Sequence, residues 1–165
     1  MITLISVEKI CIQPEGGNKM KIESPAFKDN ELIPPEYTCD GEKVNPPLII
    51  SDVPVSAKSL VLIVDDPDAP GGTFIHWTVW NIGPDTKEIL KNSCPQNAVE
   101  GMTDSGRPGY CALCPPYGTH RYFFKLFALD TTLDLGASAR IAEVEHKMEE
   151  NIVAKAQLVG LYRSN

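Results

Sequence analysis

Three short stretches of the chain gather the residue types that do chemistry. The first is Asp65-Asp66-Pro67-Asp68-Ala69-Pro70. Carboxylates this close repel one another and need partners, and Pro67 and Pro70 fix the backbone that carries them. The competing expectation is an acidic turn open to water, because carboxylates are usually exposed. The second stretch is Phe74-Ile75-His76-Trp77-Thr78-Val79-Trp80-Asn81-Ile82. On an extended strand His76, Thr78 and Trp80 fall on one face, and Trp77, Val79 and Asn81 on the other. A histidine beside a tryptophan also reads as a packed core residue. The third is Cys114-Pro115-Pro116-Tyr117-Gly118-Thr119-His120-Arg121-Tyr122. A stiff Pro-Pro pair and a glycine ahead of a histidine can turn backbone N–H groups toward an anion; a rigid turn with a solvated histidine is the alternative.

These groups could serve several chemistries. Asp and His together can act as base and orienter. A hydrolase would also need a nucleophile, and Ser105 and Thr119 stand outside any nucleophile-elbow context. An enzyme is therefore the alternative reading, and binding without turnover the main one. A metal could draw on Asp66, Asp68, His76 and His120, or on Cys111-Ala112-Leu113-Cys114, but a structural zinc site needs a second ligand pair. Cys11, Cys39 and Cys94 stand singly, so no metal and no cofactor is expected. The five cysteines are an odd number for a disulfide scaffold. The first residues carry neither a basic n-region nor a small-residue cleavage site. Free thiols, or a redox-sensitive Cys111/Cys114 pair, in a reducing cytoplasm are expected.

The elements that must position these residues read as mainly β. The 165 residues suit one domain. Fourteen prolines spread along the chain argue against a helix bundle and for short strands joined by turns. Residues 20–27 read as a first strand, residues 48–51 as a short apolar one, and Ser59-Leu60-Val61-Leu62-Ile63-Val64 as a buried one. Residues 74–82 and 121–129 complete the strong strands, with a long connection over 85–109. One helix is expected over 138–150, with Ser138 as N-cap and Ile141, Val144 and Met148 as its apolar stripe. His146 falls on its polar face. Ala154, Ala156, Leu158 and Gly160 alternate with polar residues, as small inward positions of a last strand do. A net charge of −7 disfavours nucleic acid and anionic membrane surfaces, and no apolar run is long enough for a membrane span.

Taken in order, DPDAP at 66–70, HWxxxNI at 76–82 and CPPxGTHRYFFKLFALD at 114–130 resemble the phosphatidylethanolamine-binding-protein family, in its bacterial and archaeal branch. YTCDG at 37–41 and NPPL at 45–48 are similar to the same branch, so the resemblance runs from Met20 to Arg163. It implies a large antiparallel sheet packed on a smaller sheet, with one principal helix near the C-terminus. Matched by motif, it implies a ligand pocket built from Asp66, His76 and His120, with Asp68 and Tyr122 nearby and Pro70 and Pro116 as wall. Two imidazoles beside a carboxylate would be at least partly charged and would suit phosphate, sulfate, acetate or a phosphoethanolamine headgroup. The family also implies inhibition of a kinase or protease, and a homodimer. Two departures are Ala112-Leu113, where the family has Gly-Pro, and Glu150-Asn151, where the branch often has Gly-His. Residues 1–19 precede the pattern. They are expected to be translated leader sequence ahead of a start at Met20, or else an added edge strand, leaving 20–165 as the domain.

Overall fold

The computed structural model describes residues 19–164. The expectation about residues 1–19 therefore lies, but for Lys19, outside the described residues. The strands are β1 (Lys21–Glu23), β2 (Glu31–Leu32), β3 (Leu48–Ser51), β4 (Ser59–Asp66), β5 (Phe74–Ile82), β6 (Glu88–Ile89), β7 (Val99–Glu100), β8 (His120–Leu129) and β9 (Ile152–Tyr162), with helix α1 (Ile141–Met148) between the last two. They form a six-stranded sheet in the order β2-β9-β8-β4-β5-β7 and a three-stranded sheet β1-β3-β6. The large sheet is antiparallel as expected, except that the two-residue edge strand β2 runs parallel to β9.

β4 and β8 are the two central strands. All eight residues of β4 are buried, because its two faces meet two different cores. Leu60, Leu62 and Val64 join Trp77, Val79, Phe124 and Leu126 against Ile22, Leu48 and Ile50 of the small sheet. Val61 and Ile63 face the other way, with Trp80 and Leu129, under Val144 and Met148 of α1. A strand covered on both sides reads as a continuous apolar run for that reason. The glycine among the small inward residues of β9 has a cause: a Cβ at Gly160 would collide with the side chains of Ile33 and Phe27.

Several expected boundaries shift. The first strand stops at Glu23, two residues before Pro25. The connection over 85–109 holds β6 and β7, which are too short to carry a hydrophobic period. The helix begins at Ile141 rather than beside Ser138. Arg140 is its N-cap, and the Glu143 carboxylate accepts from the Arg140 backbone N–H at 3.1 Å, a reach-back that fixes a helix start. A 3-10 turn over Glu149–Asn151 continues it into β9. His146 is exposed, as its position on the polar face suggested.

Candidate functional site

The three acids at the end of β4 go to three different partners. Asp65 and Asp66 are buried, so the acidic stretch is not a turn open to water. Successive strand residues point to opposite faces. On the helix-side face, Asp65 accepts from Lys125 Nζ at 2.6 Å. On the inner face, Asp66 accepts from the Asp68 backbone N–H at 2.8 Å through Oδ1 and from His120 Nδ1 at 2.7 Å through Oδ2. Asp68 chelates Arg121, accepting from Nε, Nη2 and the backbone N–H, each at 2.9 Å. That guanidinium holds the Asp68 carboxyl down to about 2. The loop after β4 is thus clipped to the first residues of β8.

His76 reaches the same place by a different device. Thr78 pairs with Ile63, Trp77 with Val64 and Ile75 with Asp65, with a register shift between Val64 and Asp65. His76 is the extra residue of that shift. Strict alternation would place it with Thr78 and Trp80 toward α1. Instead its ring lies 4.8 Å from that of Phe74 and 5.5 Å from that of Tyr122, on the inner face. The expectation that His76, Thr78 and Trp80 share a face is corrected for His76 by this bulge, a common way to re-aim a side chain. Its Nδ1–H donates to the Cys111 carbonyl at 3.0 Å, and Cys111 N–H donates back to the His76 carbonyl at 2.8 Å.

The two imidazoles therefore differ. Burial pushes the His76 pKa below its usual value, so His76 is neutral at neutral pH. With Nδ1 as donor, its Nε2 carries a lone pair and can accept. Of the two imidazoles expected to be at least partly charged beside the carboxylate, only His120 is hydrogen-bonded to Asp66, and His76 is the neutral one. The rings of His120 and Tyr122 stack at 6.4 Å and 27°. Tyr122 is fully buried, and its hydroxyl has no partner among the described residues. Burial, reinforced by the charge of Asp66, drives its pKa far up, so it stays a neutral donor.

A cavity of about 210 Å³ opens here, lined by Asp66, Ala69, Pro70, Phe74, His76, Cys111, Ala112, Cys114 and Pro116. Four of the expected residues, Asp66, His76, Pro70 and Pro116, line it. His120 joins through Asp66, and Tyr122 through its contacts with both imidazoles. Asp68 does not line the cavity; it positions the loop. A larger groove of about 660 Å³ lies along Leu32, Ile33, Pro34, Pro35 and Tyr162, without a comparable cluster of buried polar groups. Among the described residues no group of three or more His, Cys, Asp and Glu side chains is placed to hold a metal.

The sequence reading missed two features of this site. Phe74 packs on His76, and Cys114 is disulfide-bonded to Cys39, 75 residues away. The expectation of free thiols holds only for Cys94 and Cys111 among the described cysteines, and Cys111 and Cys114 are not joined to each other. The bond follows from the chain path: Thr38 and Leu113 form a parallel bridge, and Cys39 N–H donates to the Leu113 carbonyl at 3.0 Å. The Cα atoms of the two cysteines stand 5.3 Å apart, an ordinary separation for a disulfide. Neither cysteine's local sequence signals the pairing.

Comparison with known proteins agrees with this fold. Residues 23–163 match the family described as "Phosphatidylethanolamine-binding protein". A UPF0098 protein of Methanothermobacter thermautotrophicus is 48% identical over 149 residues, covering 87% of this chain and 99% of the relative. The crystal structure of a phosphatidylethanolamine-binding-protein homolog from Chlamydia trachomatis superposes with a TM-score of 0.87 at 40% identity, covering 90% of this chain and 99% of that one. YbcL of E. coli, described as a new member of the mammalian family, superposes at 0.84 with 30% identity, covering 90% of this chain and all of its own. The chain belongs to the phosphatidylethanolamine-binding-protein family.

Proposed function

We propose that the protein binds a small oxyanion, such as phosphate or a phosphorylated headgroup, in the cavity beside Asp66, His76 and His120, and acts as a ligand-binding regulator rather than an enzyme. The observation that carries this reading is the buried Asp66–His120 pair at 2.7 Å beside an enclosed His76. Both Asp66 oxygens take part in positioning, and through Oδ2 the carboxylate fixes the His120 ring. With its Nδ1 committed to Asp66, His120 has Nε2 left for a ligand. His76 Nε2 is an acceptor. A singly protonated phosphate fits this asymmetry when His120 is imidazolium: its P–OH donates to His76, and its other oxygens accept from the His120 Nε2–H.

Regulation follows the family resemblance, with a protein target of the kinase or protease class sensing whether the cavity is filled. The protein acts in the cytoplasm, as a homodimer, with no nucleic-acid partner and no inserted membrane segment. The cavity lining offers Cys111 as its one free thiol and no serine or threonine, which favours binding over hydrolysis.

Titration of the histidine NMR signals with phosphate tests the reading. His76 and His120 should shift, with His146 as an internal control. With phosphoethanolamine as the probe, affinity should rise as pH falls toward about 6, the second pKa of a phosphomonoester, and fall again once His76 takes up a proton. The same protonation bears on stability. A buried histidine with a lowered folded pKa contributes stability that is complete above its unfolded pKa of about 6.5 and lost as pH falls through the folded value. Unmoved His76 and His120 signals at every pH would remove the site. Ester hydrolysis lost in His120→Ala would favour the enzyme instead.

A further inference from the structure

We propose that Cys114 is a site of thiol–disulfide exchange with low-molecular-weight thiols, and that Cys111 is its resolving thiol. Cys114 is exposed, although Leu113 and Pro115 on either side of it are buried. Its disulfide to Cys39 therefore stands in the wall of an open cavity. Exposed disulfides are the labile ones, because an incoming thiolate can reach a sulfur. A third cysteine is built into the same wall: Cys111 lines the cavity as a half-buried free thiol. Its backbone is tied to His76 by the two hydrogen bonds described above, so it stays in place when the wall is disturbed. Cys94 is also a half-buried free thiol, but it is placed differently. It lies outside this cavity, and burial pushes its thiol up to about 11, where little thiolate forms.

The exchange balances without an oxidant. An external thiolate RS⁻ attacks Cys114 Sγ; the Cys39–Cys114 bond breaks, an RS–Cys114 bond forms, and Cys39 leaves as thiolate. The Cys111 thiolate then attacks Cys114 Sγ. A Cys111–Cys114 bond forms, and RS⁻ is released. The net change is a disulfide isomerisation, with the thiol acting as catalyst.

Its structural consequence is specific. In the starting form the wall is bonded covalently to the segment around Cys39. After exchange, the links that remain include Cys39 N–H to the Leu113 carbonyl and the Tyr110 hydroxyl to the Tyr37 carbonyl at 2.8 Å. The wall then gains freedom on the side that faces Asp66 and His76. Resting on the anion reading above, the isomerised form should bind inorganic phosphate several-fold more weakly.

The test uses the full chain in a glutathione buffer, with peptide mapping under non-reducing conditions. The expected products are a Cys111–Cys114 disulfide and a free Cys39. Cys111→Ser should accumulate a glutathione adduct on Cys114, and Cys94→Ser should behave as the parent. A Cys39–Cys114 bond that persists at every glutathione ratio, with no adduct in Cys111→Ser, overturns the proposal. A product disulfide from Cys114 to Cys11 overturns the role of Cys111. Phosphate affinity of the two isomers, measured separately by calorimetry, decides whether the exchange reaches the pocket. The mapping result stands whether or not phosphate binds, so the two proposals fail independently.

Discussion

The two ends of β4 and β8 use the same pair of strands for opposite purposes. Toward the helix, Val61, Ile63, Trp80 and Leu129 close under Val144 and Met148 into an apolar cluster. At the far end, β4 finishes in Asp65-Asp66 and β8 begins at His120-Arg121, and the buried groups are charged or titratable. Both ends are well enclosed. They differ in what burial costs. Apolar groups gain from leaving water, whereas a carboxylate loses unless its oxygens find partners. Here each acid has a separate cation or imidazole, and only Asp65 Oδ1 among their buried oxygens is left without a hydrogen bond among the described residues. Packing makes one end stable, and a clipped hydrogen-bond network makes the other specific. A site held by few directional bonds can be altered by one atom; a packed end cannot.

This contrast is open to direct attack. The largest stability loss should come from Trp80→Ala, which empties a fully buried ring site at the helix end. The expected cost is about 3–5 kcal/mol, with unchanged phosphate affinity in the fraction that remains folded. Chemical denaturation and calorimetry measure the two separately. Asp66→Asn should do the reverse. Asparagine keeps the shape and can still accept from His120 Nδ1, so the stability cost is smaller, about 1–3 kcal/mol. The orienting charge is gone, however, and phosphate binding should fall below detection. If Trp80→Ala weakens binding as strongly as Asp66→Asn, the two ends are coupled and the contrast is wrong.

Much of the packed end could be read from the chain alone. Ser59-Leu60-Val61-Leu62-Ile63-Val64 is apolar at every position but its first, and Val144 and Met148 share one helical stripe; a local pattern suffices for both. Gly160 sits where a small inward residue was expected. The site was legible differently. Asp66, His76, Pro70 and Pro116 came from motif resemblance, and their meeting at one cavity depends on strand pairing. The aim of His76 was misread because alternation assumes an unbroken register, and the bulge between Val64 and Asp65 is a property of two strands. The Cys39–Cys114 bond escaped for a similar reason, since its sulfurs are brought together by a bridge between residues far apart in the chain. The neutral state of His76 depends on burial, which outweighs the opposing hydrogen bond to the Cys111 carbonyl, and a residue type announces neither.

The smallest expected effect concerns Asp68, and it separates positioning from binding. Its chelation of Arg121 joins the loop after β4 to the start of β8, yet the two side chains are 30% and 53% exposed. Water and salt screen such a pair, and it should contribute at most about 1 kcal/mol. A protein of this size loses roughly 2–4 °C of Tm per kcal/mol, so Asp68→Asn should lower Tm by no more than a few degrees at neutral pH and less in high salt. The sign with pH is fixed by the lowered pKa. A carboxyl held at about 2 against an ordinary 3.8 gives stability that is complete above pH 3.8 and lost as pH falls toward about 2. Asp68→Asn should flatten that acid limb while leaving unchanged the slope below the unfolded histidine pKa of about 6.5 that His76 contributes. Phosphate affinity should fall slightly, because Asp68 N–H still holds Asp66 Oδ1 while the loop gains freedom. Loss of binding equal to that of Asp66→Asn would mean that Asp68 meets the ligand itself.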